Sequence, residues 1–168
     1  IDGQCLLSFA YTLIPQAETI GGVISRGFGC SMSLLGESRI VIGARGPDLI
    51  HNANTDPGSA YVFDVITGQQ IARLTPVSSY RCFWFGASVA VAGHTILVGA
   101  PRARSPCSID QKAGAAMTFD ASRSFTQTSK LVPTDVAKGD EFGSQVAAYS
   151  SADGEAVLFL AAPYASSD

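Results

Sequence analysis

The sequence predicts an all-β fold, a β-propeller of four-stranded antiparallel blades, present as about three repeat units. Two observations lead to it. Phe-Gly steps recur at a 57-residue spacing, as Phe28-Gly29, Phe85-Gly86 and Phe142-Gly143. Between them lie short alternating strands punctuated by Gly, Pro, Asp and Ser, with no stretch at the 3.6-residue period of an amphipathic helix. A unit of four meandering strands cannot bury both of its faces alone. It must stack on copies of itself, and radial stacking of such sheets makes a propeller.

Each unit reads in the same order. The first strand follows the Phe-Gly step, as Cys30-Ser31-Met32-Ser33, Ala87-Ser88-Val89-Ala90 and Ser144-Gln145-Val146-Ala147. Its small residues suit the innermost strand, where blades converge, and Gly29, Gly86 and Gly143 are expected to let the backbone approach its neighbour. A second strand runs into a small-residue stop at Gly43-Ala44-Arg45, Gly99-Ala100-Pro101 and Ala161-Ala162-Pro163. The third strand ends in Asp, at Tyr61-Val62-Phe63-Asp64 and Met117-Thr118-Phe119-Asp120, where the acid stops the strand and caps its turn. The fourth closes in Leu-x-Pro, at Leu74-Thr75-Pro76 and Leu131-Val132-Pro133, with a further copy at Leu13-Ile14-Pro15.

These residues resemble the FG-GAP repeat, best known from the propeller of integrin alpha subunits. Phe85-Gly86, Gly99-Ala100-Pro101 and Gly114-Ala115-Ala116 match its pattern closely, while Arg45 stands where Pro is expected and Ala161 where Gly is expected. The segment from Thr134-Asp135 to Phe142-Gly143 looks like the family's linker between blades. Within the 168 residues this divides the chain into the end of a preceding blade (1–27), two blades (28–84 and 85–141) and the first half of another (142–168). About three blades are fewer than the ~4–8 that close a propeller, so the expectation is a slice of a longer propeller or copies that share blades.

Composition narrows the function. Charged residues are 15% and the net charge is -3, with no run of one sign, so nucleic acid is not an expected partner. No apolar run is long enough to span a bilayer, and no membrane insertion by this segment is expected. The cysteines Cys5, Cys30, Cys82 and Cys107 contain no C-x-x-C pair.

The resemblance raises calcium as an option, since several members of that family bind it in the turn between the first two strands. Here the first two such turns are short, and the third, 149–155, keeps one carboxylate, Asp153, ahead of Gly154. It reads as a decayed loop and an Asp-Gly hairpin turn; no metal and no cofactor is expected. Only His51 and His94 could serve as catalytic bases, and neither lies in a nucleophile motif. Asp140-Glu141 and the Asp64/Asp120 pair are read as linker and turn residues rather than catalytic acids, and no enzymatic activity is expected.

The resemblance implies that the strand 2–3 and strand 4–1 loops emerge on one face. That face would carry Tyr80, Arg81, Trp84, Arg102 and Arg104, residue types that dominate protein interfaces, together with His51 and Asn52. The opposing reading has Phe83 and Trp84 plugging the gap between blades with the arginines solvated. The same placement brings Cys82 near Cys107, and a disulfide between them would fit an oxidising setting. The pairing of Cys5 and Cys30 stays open. The function expected is therefore a non-enzymatic extracellular or cell-surface module for adhesion, protein interaction or assembly, its partner another protein or copies of itself. A carbohydrate-binding propeller and the accessory propeller of a larger hydrolase-like enzyme are the alternatives, with glycan a possible partner in the first.

Overall fold

The computed structural model describes residues 27–46, 57–77, 82–103, 113–134 and 137–165, and these form strands with no helix among them. The first unit holds β1 (Phe28–Leu35), β2 (Arg39–Ala44), β3 (Ser59–Asp64) and β4 (Gln70–Leu74), hydrogen-bonded in the order β1-β2-β3-β4. A short strand β5 (Cys82–Phe83) leads to the second unit. Its sheet contains β6 (Ser88–Ala92), β7 (Thr95–Ala100), β9 (Ala115–Asp120) and β10 (Thr126–Leu131), again in chain order, while β8 (Arg102–Ala103) pairs with β5. The third unit contributes a hairpin of β11 (Gln145–Ser150) and β12 (Ala156–Ala161). All strand pairs are antiparallel.

Turn chemistry explains where strands stop. The Asp64 carboxylate accepts the backbone N–H groups of Thr67 and Ile66 at 2.8 and 2.9 Å, and Asp120 accepts the Ser122 N–H at 2.8 Å and its hydroxyl at 2.6 Å. Both acids cap the turn into the fourth strand, which then ends at Leu74 or Leu131 as the Leu-x-Pro pattern predicts. The turn between β11 and β12 is a hairpin in which Ser151 Oγ accepts the Glu155 N–H at 3.1 Å and Gly154 takes φ 81°.

The sheets stack through opposite faces. Phe85, Ile96, Val98, Met117 and Phe119 of the second unit pack against Leu35, Val41, Ala60 and Val62 of the first. The other face of the second unit, with Ala90, Leu97 and Ala116, packs against Val146, Ala148, Leu158 and Leu160 of the third. Strand β6 lies against both β1 and β11, so the three Phe-Gly strands stand side by side. Phe85 is fully buried, with Phe119 edge-on at 5.9 Å; Phe28 meets Phe63 in the same way at 5.9 Å.

The joint between units is repeated residue for residue. Ser31 Oγ donates to the Gly86 carbonyl at 3.0 Å, and Ser88 Oγ donates to the Gly143 carbonyl at 2.8 Å. Phe85 N–H reaches the Pro57 carbonyl at 2.9 Å, and Phe142 N–H the Ala113 carbonyl at 3.0 Å. A Cβ on Gly43 would overlap the Gly86 carbonyl, and one on Gly99 the Gly143 carbonyl. The sequence reading placed this close approach in Gly29, Gly86 and Gly143. It holds for Gly86 and Gly143, whereas a Cβ on Gly29 would meet nothing within 4 Å, the described residues including no unit that seats on its outer side.

The expected end of a preceding blade, with Cys5 and Leu13-Ile14-Pro15, lies outside the described residues.

A candidate interaction site where the units meet

The residue before each Phe-Gly step has left-handed backbone: Gly27 at φ 82°, Trp84 at 61° and Glu141 at 53°. In each case its carbonyl accepts the N–H three residues on, from Cys30, Ala87 and Ser144 at 3.0 to 3.1 Å. The side chains at positions 84 and 141 meet the arginines that follow the second-strand stops, Arg45 and Arg102. For a bulky residue such backbone is uncommon and costs energy, so the hydrogen-bonded turn and the packing around Trp84 must hold it there.

The result is a small cluster built from two units. The Arg102 guanidinium lies over the Trp84 ring, 3.6 Å from its centroid, and the Arg45 guanidinium lies 4.7 Å from the same centroid. Arg102 also lies 3.9 Å from the Glu141 carboxylate, both side chains being about a quarter exposed. Arg45 is exposed and Trp84 half-buried. A cation over an indole face is attracted by the ring quadrupole, which is favourable for a guanidinium.

Trp84 and Arg102, both anticipated from the sequence, are thus brought together. Trp84 is half-buried at the junction, and the Arg102 guanidinium lies over its ring. Two members of the cluster escaped the sequence reading. Arg45 registered only as a departure from the Gly-Ala-Pro pattern, though a cation one repeat upstream of Pro101 was a signal. Glu141 reads in the sequence only as a linker residue beside Asp140. Tyr80, Arg81, Arg104, His51 and Asn52 lie outside the described residues, as does Cys107. Cys82 is paired through β5 with Ala103 in β8, so the two connections expected to share a face do run together; the disulfide itself falls outside what is described. Cys30 is an exposed free thiol, with Sγ 3.3 Å from the Gly86 carbonyl.

The other carboxylates have structural tasks. Asp140 is buried and accepts the Ala137 N–H at 2.7 Å, which closes the linker turn before Glu141. Asp64 is held below the ordinary carboxylate range chiefly by the Thr67 N–H, and Asp120 chiefly by the Ser122 hydroxyl. His94 is exposed in the turn between β6 and β7, and its carbonyl accepts the Ala121 N–H at 2.8 Å. Asp153 is exposed, and among the described residues no three His, Cys, Asp or Glu side chains gather in a metal-binding group.

Residues 125–156 match the family model of the FG-GAP repeat. Over that stretch the chain is similar to the FG-GAP repeat. The matched stretch runs from the fourth strand of the second unit through the Glu141 linker and Phe142-Gly143 into the β11–β12 hairpin, so it spans a unit junction. No curated protein matches the chain. Among the described residues no helix is long and apolar enough to cross a membrane.

Proposed function

We propose that this chain is a non-enzymatic protein-interaction module for adhesion or assembly, acting outside the cell or at its surface, with its FG-GAP units standing as blades of a propeller. The observation that carries this reading is the Arg45–Trp84–Arg102 cluster. It places interface-forming residue types at an exposed junction, on the edge from which the longer connections leave the sheets. The repeated joint supports the propeller, because equivalent hydrogen bonds join the first unit to the second and the second to the third. The FG-GAP match supports the setting, such repeats being typical of extracellular and surface proteins.

Site-specific photo-crosslinking from position 45 in native surroundings tests the reading. A single protein, identified by mass spectrometry at a fixed stoichiometry, is the expected adduct. Diffuse labelling of many proteins, or adducts only to small metabolites that the chain converts, would overturn it.

A further inference from the structure

We propose that the cleft between the second unit and the third hairpin, together with the open edge of β12 beside it, is a docking site for an extended segment of a protein partner that places an aromatic side chain opposite Leu158. The inference rests on the interaction-module reading and names the chemistry of the partner. The cleft holds about 480 Å³, within the ~300–1,000 Å³ of ordinary ligand sites, and Ala92, Thr118, Leu131 and Leu158 are among the residues that line it.

The first joint shows what fits there. In the strand registers, Leu35, Val62, Leu74 and Ile96 hold the positions that Ala92, Thr118, Leu131 and Leu158 hold at the second joint. At the first joint these four are buried in one core together with Phe119, which β9 carries directly opposite Ile96. At the second, Leu131 and Leu158 are only half-buried. Both complete sheets repeat the pairing, with Phe63 opposite Ile40 and Phe119 opposite Ile96, so an aromatic residue is the one that suits the place opposite Leu158. The strand that would bring it has room beside the cleft: among the described residues β12 pairs only with β11, which leaves its other edge open. Unpaired N–H and C=O groups along a strand edge are satisfied over their whole length by an added strand rather than by a small molecule, and alternate side chains of that strand then face the cleft.

Titration of the whole chain against a fluorescein-labelled peptide copying residues 114–120, Gly-Ala-Ala-Met-Thr-Phe-Asp, followed by anisotropy, tests the proposal. Saturable binding is expected, with hydrogen exchange slowed in β12. Alanine in place of the peptide's phenylalanine should weaken binding about tenfold or more, as the loss of one buried aromatic ring implies. N-methylation of alternate peptide amides removes the donors of a strand and should abolish binding. Ser129→Trp fills the cleft from an exposed position and should weaken binding by a similar factor, with circular dichroism and the melting temperature showing the variant folded.

No binding of the peptide, equal binding by its alanine version or by Ser129→Trp, or protection that spares β12 would overturn the proposal. So would binding of N-acetylphenylalanine amide as tight as that of the peptide, which would make the cleft a small-molecule site. A protein adduct from position 45 combined with no peptide binding would overturn the strand docking while leaving the interaction module standing. Loss of the adduct alone would overturn the module.

Discussion

The face that the second unit presents to the third and the face that the third unit presents outward occupy equivalent positions but differ in what they can receive. At the first, Ser88 and Gly99 form a seat for the Gly143 carbonyl, and Ala92 and Leu97 lie in the sheet beside it. At the second, Gln145 stands for Ser88, Ala161 for Gly99, Tyr149 for Ala92 and Phe159 for Leu97. Tyr149 and Phe159 stack on each other, 6.1 Å between centroids, with more than half of each exposed. Ala161 carries the methyl that Gly99 cannot. The joint repeats between the first and second units and between the second and third, whereas the outward face of the third hairpin lacks the serine and glycine that form that seat.

The largest expected contrast is between Phe85 and Phe159. Phe85 is fully buried at the joint, so Phe85→Ala should cost about 3–5 kcal/mol in urea unfolding, whereas Phe159→Ala on the outward face should cost less than about 1 kcal/mol. Equal losses would show that the outward face is as tightly packed as the joint.

A smaller contrast concerns the seryl bridge. Ser88→Ala removes the donor to the Gly143 carbonyl inside the stack and should cost about 1–2 kcal/mol; Gln145→Ala, at an exposed position, should change stability by less than about 0.5 kcal/mol. Thermal melts of the two variants side by side would check this.

Much of this was legible in advance. The 57-residue period, the Asp64 and Asp120 stops and the Leu-x-Pro ends follow from turn chemistry and alternation, both local properties that a sequence displays directly. The joint was less so. Gly43 and Gly99 read as strand stops, yet their role depends on a carbonyl more than 40 residues away in the next unit. Ser31 and Ser88 look like any polar residue on an alternating strand until the neighbouring sheet is in place. The pairing of Arg45 with Trp84 likewise comes from two units meeting, while Trp84 and Arg102 could be picked out by residue type alone.

The smallest expected effect tests whether the turns, unlike the joints, are independent of stacking. Asp64 and Asp120 have folded pKa values below those of the unfolded chain, owing first to the Thr67 N–H and the Ser122 hydroxyl respectively. Their contribution is therefore fully present above the unfolded value of about 4 and is lost as pH falls through the folded value. Asp64→Asn and Asp120→Asn should each lower the melting temperature slightly at pH 7, and the difference from the native chain should vanish in acid. A difference that grew as pH fell would reverse the assignment.

Melting temperatures of Gly99→Ala and Ala161→Gly, measured together, test the central claim most directly, because they make opposite exchanges at equivalent positions. Gly99→Ala pushes a methyl into the Gly143 carbonyl and should destabilise the chain by about 1–3 kcal/mol or more, seen as a drop of several degrees. Ala161→Gly should cost only the ~0.5–1 kcal/mol of a glycine in a strand. A Gly99→Ala variant as stable as the native chain would contradict the account, since the seat between units would then have room for the side chain that the third unit already carries.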